Sequence, residues 1–405
     1  MNIFVGILGL GLLVLVHEAG HFFTARAVGM SPRKFYIGFP PPLVRVTRKG
    51  IEYGIGAIPL GGYVKIPGMH RPAPSDLDVR GPYFGAAIVE SPELRPAVER
   101  IKERLAEGDM AGARTRLEDL ERALGEARIS SRALKAAERG LRELKDGLGE
   151  DAYWRQRAWK RIAVIFAGPG TNFVFAILLF AVLLTLDTYR LGFVLRADAD
   201  QATPVVERVN AGDPADTMGM RAGDRIVAVN GRPVEADDIS RRIRASKGDP
   251  LTITVVRDGR RVSLGPIRPK KDEGYGALGA VGRSLELTGI VTREIGKSLL
   301  RLVQGEGREE ISSPVGIVEG SSQALDQGVQ TYLWVLGLIS LSLALLNLLP
   351  LLPLDGGHIA FSIVEGIRGR SVGREVYERV SAVGIALVLL LFFVGLSNDV
   401  NRLSD

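Results

Sequence analysis

The chain of 405 residues contains no cysteine and only four histidines. Without thiols there can be no disulfide scaffold, no iron–sulfur cluster, no thiol nucleophile and no cysteine-ligated zinc. Any bound metal must therefore be held by histidine, aspartate or glutamate. Neither charge is in large excess, with 52 Lys+Arg against 46 Asp+Glu. The length leaves room for two or three domains.

What is present is a clustering of apolar residues. They make up 46% of the chain, and stretches at 3–28, 162–186, 333–352 and 380–396 approach the roughly 20 apolar residues that cross a bilayer. The first lacks the basic leader and small-residue cleavage site of a signal peptide and carries His17, Glu18 and His21, so it is read as a retained span. The last is short, yet Ala-Leu-Val-Leu-Leu-Leu-Phe-Phe at 386–393 offers water no polar face. Basic residues set the orientation. Arg26, Arg33 and Lys34 follow span one, Arg155, Arg157, Lys160 and Arg161 precede span two, and Arg368, Arg370 and Arg374 lie between spans three and four. All fall on one side, expected to be cytoplasmic, which places 187–332 and both chain ends outside.

Within the first span stands His17-Glu18-Ala19-Gly20-His21. Residues four apart share a helix face, so both imidazoles project together. Two neutral imidazoles can fill two corners of a tetrahedral zinc site, and Glu18, one position round the helix, can take a proton from zinc-activated water. The plainer alternative is a histidine pair at a helix end facing the interface, but ionisable groups inside a span are costly and usually functional. A catalytic zinc wants a third protein ligand and an open fourth position. His70 and His358 remain, but the better candidate is Asp355. It lies in Asn347-Leu348-Leu349-Pro350-Leu351-Leu352-Pro353-Leu354-Asp355-Gly356-Gly357-His358, where prolines break a helix and glycines permit close backbone approach. Irregular backbone at membrane depth is tolerated only when buried in protein or lining a wet cavity.

These motifs together resemble the site-2 protease family of intramembrane zinc metalloproteases, and within it the bacterial cell-membrane group that carries PDZ domains and processes anti-sigma factors. Further matches are Gly56-Ala57-Ile58-Pro59-Leu60-Gly61-Gly62-Tyr63-Val64-Lys65, Ala167-Gly168-Pro169 with Asn172-Phe173, and Ser313-Pro314-Val315-Gly316-Ile317. The resemblance implies that His17, His21 and Asp355 bind Zn2+, that Glu18 is the base and that Asn347 helps hold the substrate. It implies as well that 56–65 is a membrane-reentrant β-loop. Its alternation and its Gly61-Gly62 turn also suit a plain cytoplasmic hairpin. As an edge strand it could pair with an unwound substrate backbone, which makes Gly61, Gly62 and Tyr63 candidate substrate-binding residues.

From 202 to 268 the pattern changes to short strands at 205–209, 225–229, 251–257 and 262–264, a helix around 237–245, and an Asp258-Gly259 hairpin turn. Gly223-Asp224-Arg225-Ile226-Val227-Ala228-Val229-Asn230-Gly231 resembles bacterial PDZ domains, which implies a module acting as peptide reader or as steric spacer. Between 91 and 151, leucines at helical spacing amid Glu, Arg and Lys predict two or three charged helices in a cytoplasmic hairpin, with breaks at Gly108-Asp109, Gly125 and Ser130-Ser131. Charge there is near balance, which points away from nucleic acid. An amphipathic pattern at 284–304 suits a membrane surface or packing on the PDZ module, and Tyr332 and Trp334 suit an interface belt.

The expectation is an α-helical membrane protein of the bacterial inner membrane with four transmembrane helices, a reentrant β-loop, one extracytoplasmic PDZ-like α+β domain and a cytoplasmic helical insert. Its divisions are 1–90, 91–151, 152–188, 189–283, 284–332 and 333–405. The expected activity is zinc-dependent cleavage of single-span membrane proteins such as anti-sigma factors, with the lipid bilayer as a further partner. A zinc transporter and a non-catalytic PDZ scaffold are the alternatives.

Overall fold

The computed structural model describes residues 2–79, 81, 83–196, 204–370 and 372–404. In chain order it forms helix α1 (Asn2–Ala27), strands β1 (Lys34–Arg48) and β2 (Ile51–Lys65), then helices α2 (Gly85–Glu90), α3 (Arg95–Ala106), α4 (Met110–Thr115), α5 (Leu117–Glu126), α6 (Ser131–Leu148) and α7 (Ala158–Leu184). A strand-rich stretch follows, with β3 (Thr188–Arg190), β4 (Phe193–Leu195), β5 (Val206–Val209), α8 (Pro214–Thr217), β6 (Arg225–Val229), β7 (Arg232–Pro233), α9 (Ala236–Ala245), β8 (Leu251–Arg257), β9 (Arg260–Ile267) and β10 (Lys270–Asp272). Helices α10 (Ala277–Val303), α11 (Pro314–Asp326), α12 (Val329–Asn347), α13 (Asp355–Arg368) and α14 (Arg374–Ser404) complete it.

Among the described residues, four helices are long and apolar enough to cross a membrane: Asn2–Ala27, Ala158–Leu184, Val329–Asn347 and Val376–Arg402. The third ends before the expected 352. Pro350 and Pro353 have no N–H to give to a continuing helix, and the last turn tightens through Leu348 and Leu349 amides bonded to the Leu345 and Leu346 carbonyls, both at 3.1 Å. The chain then enters α13 directly. Gly356 and Gly357 open that helix because a Cβ there would lie 2.2 Å from Leu349 O and 2.5 Å from Leu352 N. The fourth span is longer than expected, since the polar tail stays helical. Asn398 donates to the Arg308 and Ile311 carbonyls at 2.7 and 3.0 Å, and Asp399 accepts from the Ser313 amide at 2.8 Å.

The chain divides into two units. One comprises 9–173, 305–314 and 342–405. Here β1 and β2 form a bent hairpin in which 34–37 pairs on one side with 52–55 and on the other with 62–65. The charged insert is more than the expected hairpin. Helices α2 to α6 enclose a core of their own, built from Phe84, Val98, Ile101, Leu120, Leu144 and Leu148 among others. Short breaks give four helices within 91–151, with α2 just ahead of them, because Asp109 and Ser130 each accept the amide three residues on (2.8 and 3.2 Å) and so start α4 and α6.

The other unit comprises 1–8, 174–304 and 315–341. The strands expected near 205, 225, 251 and 262 are all present, in a sheet of order β7-β6-β8-β9 with β4-β5 and β3-β10 as separate pairs. Asp258 and Gly259 have positive φ (49° and 75°) and close the turn between Arg257 and Arg260. Part of this stretch, 197–203, lies outside the described residues. Asp224 is buried beneath a two-pronged pair with Arg257, both contacts at 2.7 Å. Tyr332 does not sit at an exposed belt. It is buried and donates to Val5 O at 3.0 Å, while Trp334 packs on Phe180.

Candidate metal centre

Helical spacing places His17 and His21 on one face of α1, with Nε2 atoms 3.2 Å apart. Asp355, in the first turn of α13, brings Oδ2 to 3.2 Å from His17 Nε2 and 3.4 Å from His21 Nε2. All three donor atoms lie within 4.8 Å of one another. Asp355 Oδ2 is buried yet makes no hydrogen bond of acceptable geometry with either ring. Three electron-pair donors converging on one point, with one of them orphaned, fit a shared cation better than a proton-sharing network. Two imidazoles and one carboxylate also match the three-ligand, one-open-position pattern of hydrolytic zinc.

Surrounding groups fix the rings. His21 Nδ1 lies 2.9 Å from Val164 O, so the proton sits on Nδ1 and the Nε2 lone pair faces the centre. His17 Nδ1 lies 3.5 Å from the amide of Asn172, which is fully buried. With that amide turned so that Oδ1 accepts from Nδ1–H, His17 takes the same tautomer. Neither Val164 nor Asn172 was singled out from the residues for such a role. A backbone carbonyl leaves no trace in a sequence, but an asparagine inside so apolar a run is a signal. Helix α7 comes close enough to do this because Gly20 and Gly168 lack side chains: a Cβ on Gly20 would lie 2.3 Å from Ala167 O, and one on Gly168 would lie 2.3 Å from His21 Nε2. Helix α13 is docked on the same side by the buried Arg161–Glu365 ion pair and by Tyr153–Ser362 at 3.1 Å.

Glu18, also buried, packs against the β-hairpin. Gly62 makes room for it, since a Cβ there would be 2.8 Å from Glu18 Cγ. Because 34–37 already occupies one side of 62–65, the other side is an edge with no strand paired to it among the described residues. His17, Glu18, His21, Gly62, Tyr63 and Asp355 line one cavity of about 740 Å³. Asn347 lines it too, although its amide also donates to Leu343 O at 3.0 Å. Gly61 does not line it; with φ 127° and its α-hydrogens against the Phe39 ring, it bends the strand instead. His70 and His358 stand outside the triangle, each packed against the Tyr377 ring.

A family model described as peptidase family M50 matches residues 5–391. A protein of Agrobacterium fabrum, named provisionally as a zinc metalloprotease, is 30% identical over 98% of this chain and 95% of its own. The zinc metalloproteases RasP of Geobacillus kaustophilus and Shouchella clausii are each 29% identical over 97% of this chain, covering 96% and 97% of their own lengths. The solved PDZ domain of HtrA3 aligns with 22% of this chain and 91% of its own, at 23% identity and a TM-score of 0.20, a likeness too slight to argue from. The relatives' zinc, the His-His-Asp group and the four apolar helices agree with the family match: the chain belongs to peptidase family M50, the site-2 proteases, and is a multi-pass membrane zinc metalloprotease.

Proposed function

We propose that this protease cleaves the transmembrane segments of single-span membrane proteins, anti-sigma factors being the class that the motif resemblance implies. His17, His21 and Asp355 would hold the zinc. The chemistry supplied by the bound ion is Lewis-acid polarisation of a carbonyl and a lowering of the pKa of water to about 7. Glu18 takes the proton from the attacking water and returns one to the leaving amine. The edge strand at Gly61, Gly62 and Tyr63 holds the substrate as an added strand, with Asn347 positioning it from the other wall. Strand pairing matters chemically, because a helical peptide bond is shielded by its own hydrogen bonds and an extended one is not.

One observation carries this reading. Glu18 lines the same cavity as the three donor atoms, and its side chain packs on Gly62 of the unpaired strand edge, so a water and an edge-bound peptide can meet there. Positive residues near the span ends support a site on the cytoplasmic side of the inner membrane. They also support an outward placement of the PDZ-like module within 189–283, whose role is then to screen substrates by bulk. The test is Glu18→Gln in protein reconstituted with a single-span model substrate. Zinc content should stay at the native level while cleavage disappears; retained turnover would refute the assigned base.

A further inference from the structure

The cavity does not end at the membrane helices. Another side is made by Gly140, Glu143 and Leu144 of the insert helix α6, and by Tyr83 and Phe84, which pack on it just ahead of α2. The insert is also tied to the end of the substrate edge. Lys65, the last residue of β2, bonds Glu143 at 2.8 Å and Asp146 at 3.2 Å, and Arg33, just before β1, bonds Asp146 at 2.8 Å. Backbone contacts close the same junction. A Cβ on Gly147 would lie 2.5 Å from Pro72 Cγ, and Trp154 Nε1 donates to Gly147 O at 2.7 Å. Gly140 lets Tyr83 and Phe84 lie on α6, since a Cβ there would meet Tyr83 Cβ at 2.5 Å.

We propose that this helical module is the register stop of the substrate strand. This rests on the strand-addition reading above. An extended chain rises about 3.3 Å per residue, so the edge from Gly62, beside Glu18, to Lys65 spans about 10 Å, or three residues. A substrate strand lying along it therefore meets the Lys65–Glu143 pair about three residues from the bond held at Glu18, with the Tyr83 ring lining the same cavity on the neighbouring α6 surface. The rigid wall fixes how far the strand advances and thus which bond is cut. Tyr83 and Glu143 act on the choice of bond, not on its hydrolysis, and so are specificity-determining residues.

The test uses the full chain in lipid vesicles, with a single-span model protein whose apolar span is interrupted by Gly-Ser, and product masses as the readout. The native chain should give one dominant cleavage position. Tyr83→Ala combined with Glu143→Ala should spread the products over bonds one to three residues away and lower the dominant fraction several-fold, at unchanged zinc content. Tyr83→Phe, which keeps the ring, should retain the single position, and Glu143→Gln, which keeps the volume but loses the ion pair, should give partial spreading. Unaltered product masses in the double variant and in Glu143→Gln would overturn the register stop while leaving the protease reading intact. Absence of cleavage by the native chain would remove that reading and the stop with it.

Discussion

Gly168 gives the sharpest test of the metal centre. It lies inside α7, where alanine is intrinsically favoured over glycine by up to about 1 kcal/mol, so on propensity alone Gly168→Ala should stabilise the helix. Instead the added methyl would lie 2.3 Å from His21 Nε2, 2.5 Å from His21 Cε1 and 2.9 Å from His17 Cε1. Ordinary contacts between such atoms are about 3.5 Å or more, so the rings must retreat by about 1 Å. Zinc sites hold ligand distances within about 0.2 Å. Overpacking of this kind costs about 1–3 kcal/mol, which corresponds to zinc binding weaker by about 5- to 150-fold if the centre bears it. The assay is zinc retained per chain against a graded chelator, measured by elemental analysis. Gly170→Ala is the control, because its methyl meets only the Phe166 ring, at 3.3 Å and beyond. Native zinc affinity in Gly168→Ala would show that the two imidazoles do not bind the metal as placed.

Other outcomes follow from the same reasoning. Arg257→Met leaves the Asp224 carboxylate buried without its partner and should destabilise the strand-rich module by about 3–5 kcal/mol, read as faster proteolysis within 204–272. Burial alone would raise Asp224, but the Arg257 guanidinium and the Arg221 amide hold its carboxyl below the usual carboxylate range. Its contribution is therefore fully present above about pH 4 and is lost as pH falls through the depressed folded value; Asp224→Asn should flatten that part of the proteolysis profile. Ser130→Ala removes the cap of α6 and its bond to Glu90 and should cost the insert about 1 kcal/mol, seen as faster amide exchange in 131–135. Gly384→Ala would put a methyl 1.5 Å from Leu352 O, force α14 away from the segment that leads into Asp355, and lower zinc retention without touching a ligand.

Much of the site could be read in advance because its parts are local. His17, Glu18 and His21 sit within one helical turn, and an aspartate beside so apolar a run, flanked by Pro and Gly, stands out against its neighbours. The spans could be read for a similar reason, since lipid-length apolar runs have few other uses. Legibility failed where tertiary contact decides. The end of α12 at Asn347 depends on prolines three and six residues ahead, and α13 begins where glycines let it press on the preceding loop. The insert's leucines gave its helices but not their number, because short caps at Asp109 and Ser130 divided them and a shared core brought them together. The roles of Val164 and Asn172 in orienting the imidazoles depend on α7 lying against α1, which no spacing in either segment encodes.

The contact at Gly20 and Gly168 also bears on how a membrane-bound chain can reach the zinc. Two helices in backbone-to-ring contact cannot part or slide without carrying an imidazole of the proposed metal centre with them, so on that reading this seam has to stay shut throughout turnover. Lateral entry from lipid must open elsewhere around the cavity, and crosslinks placed across α1 and α7 should be tolerated where crosslinks at the true doorway would stop the enzyme.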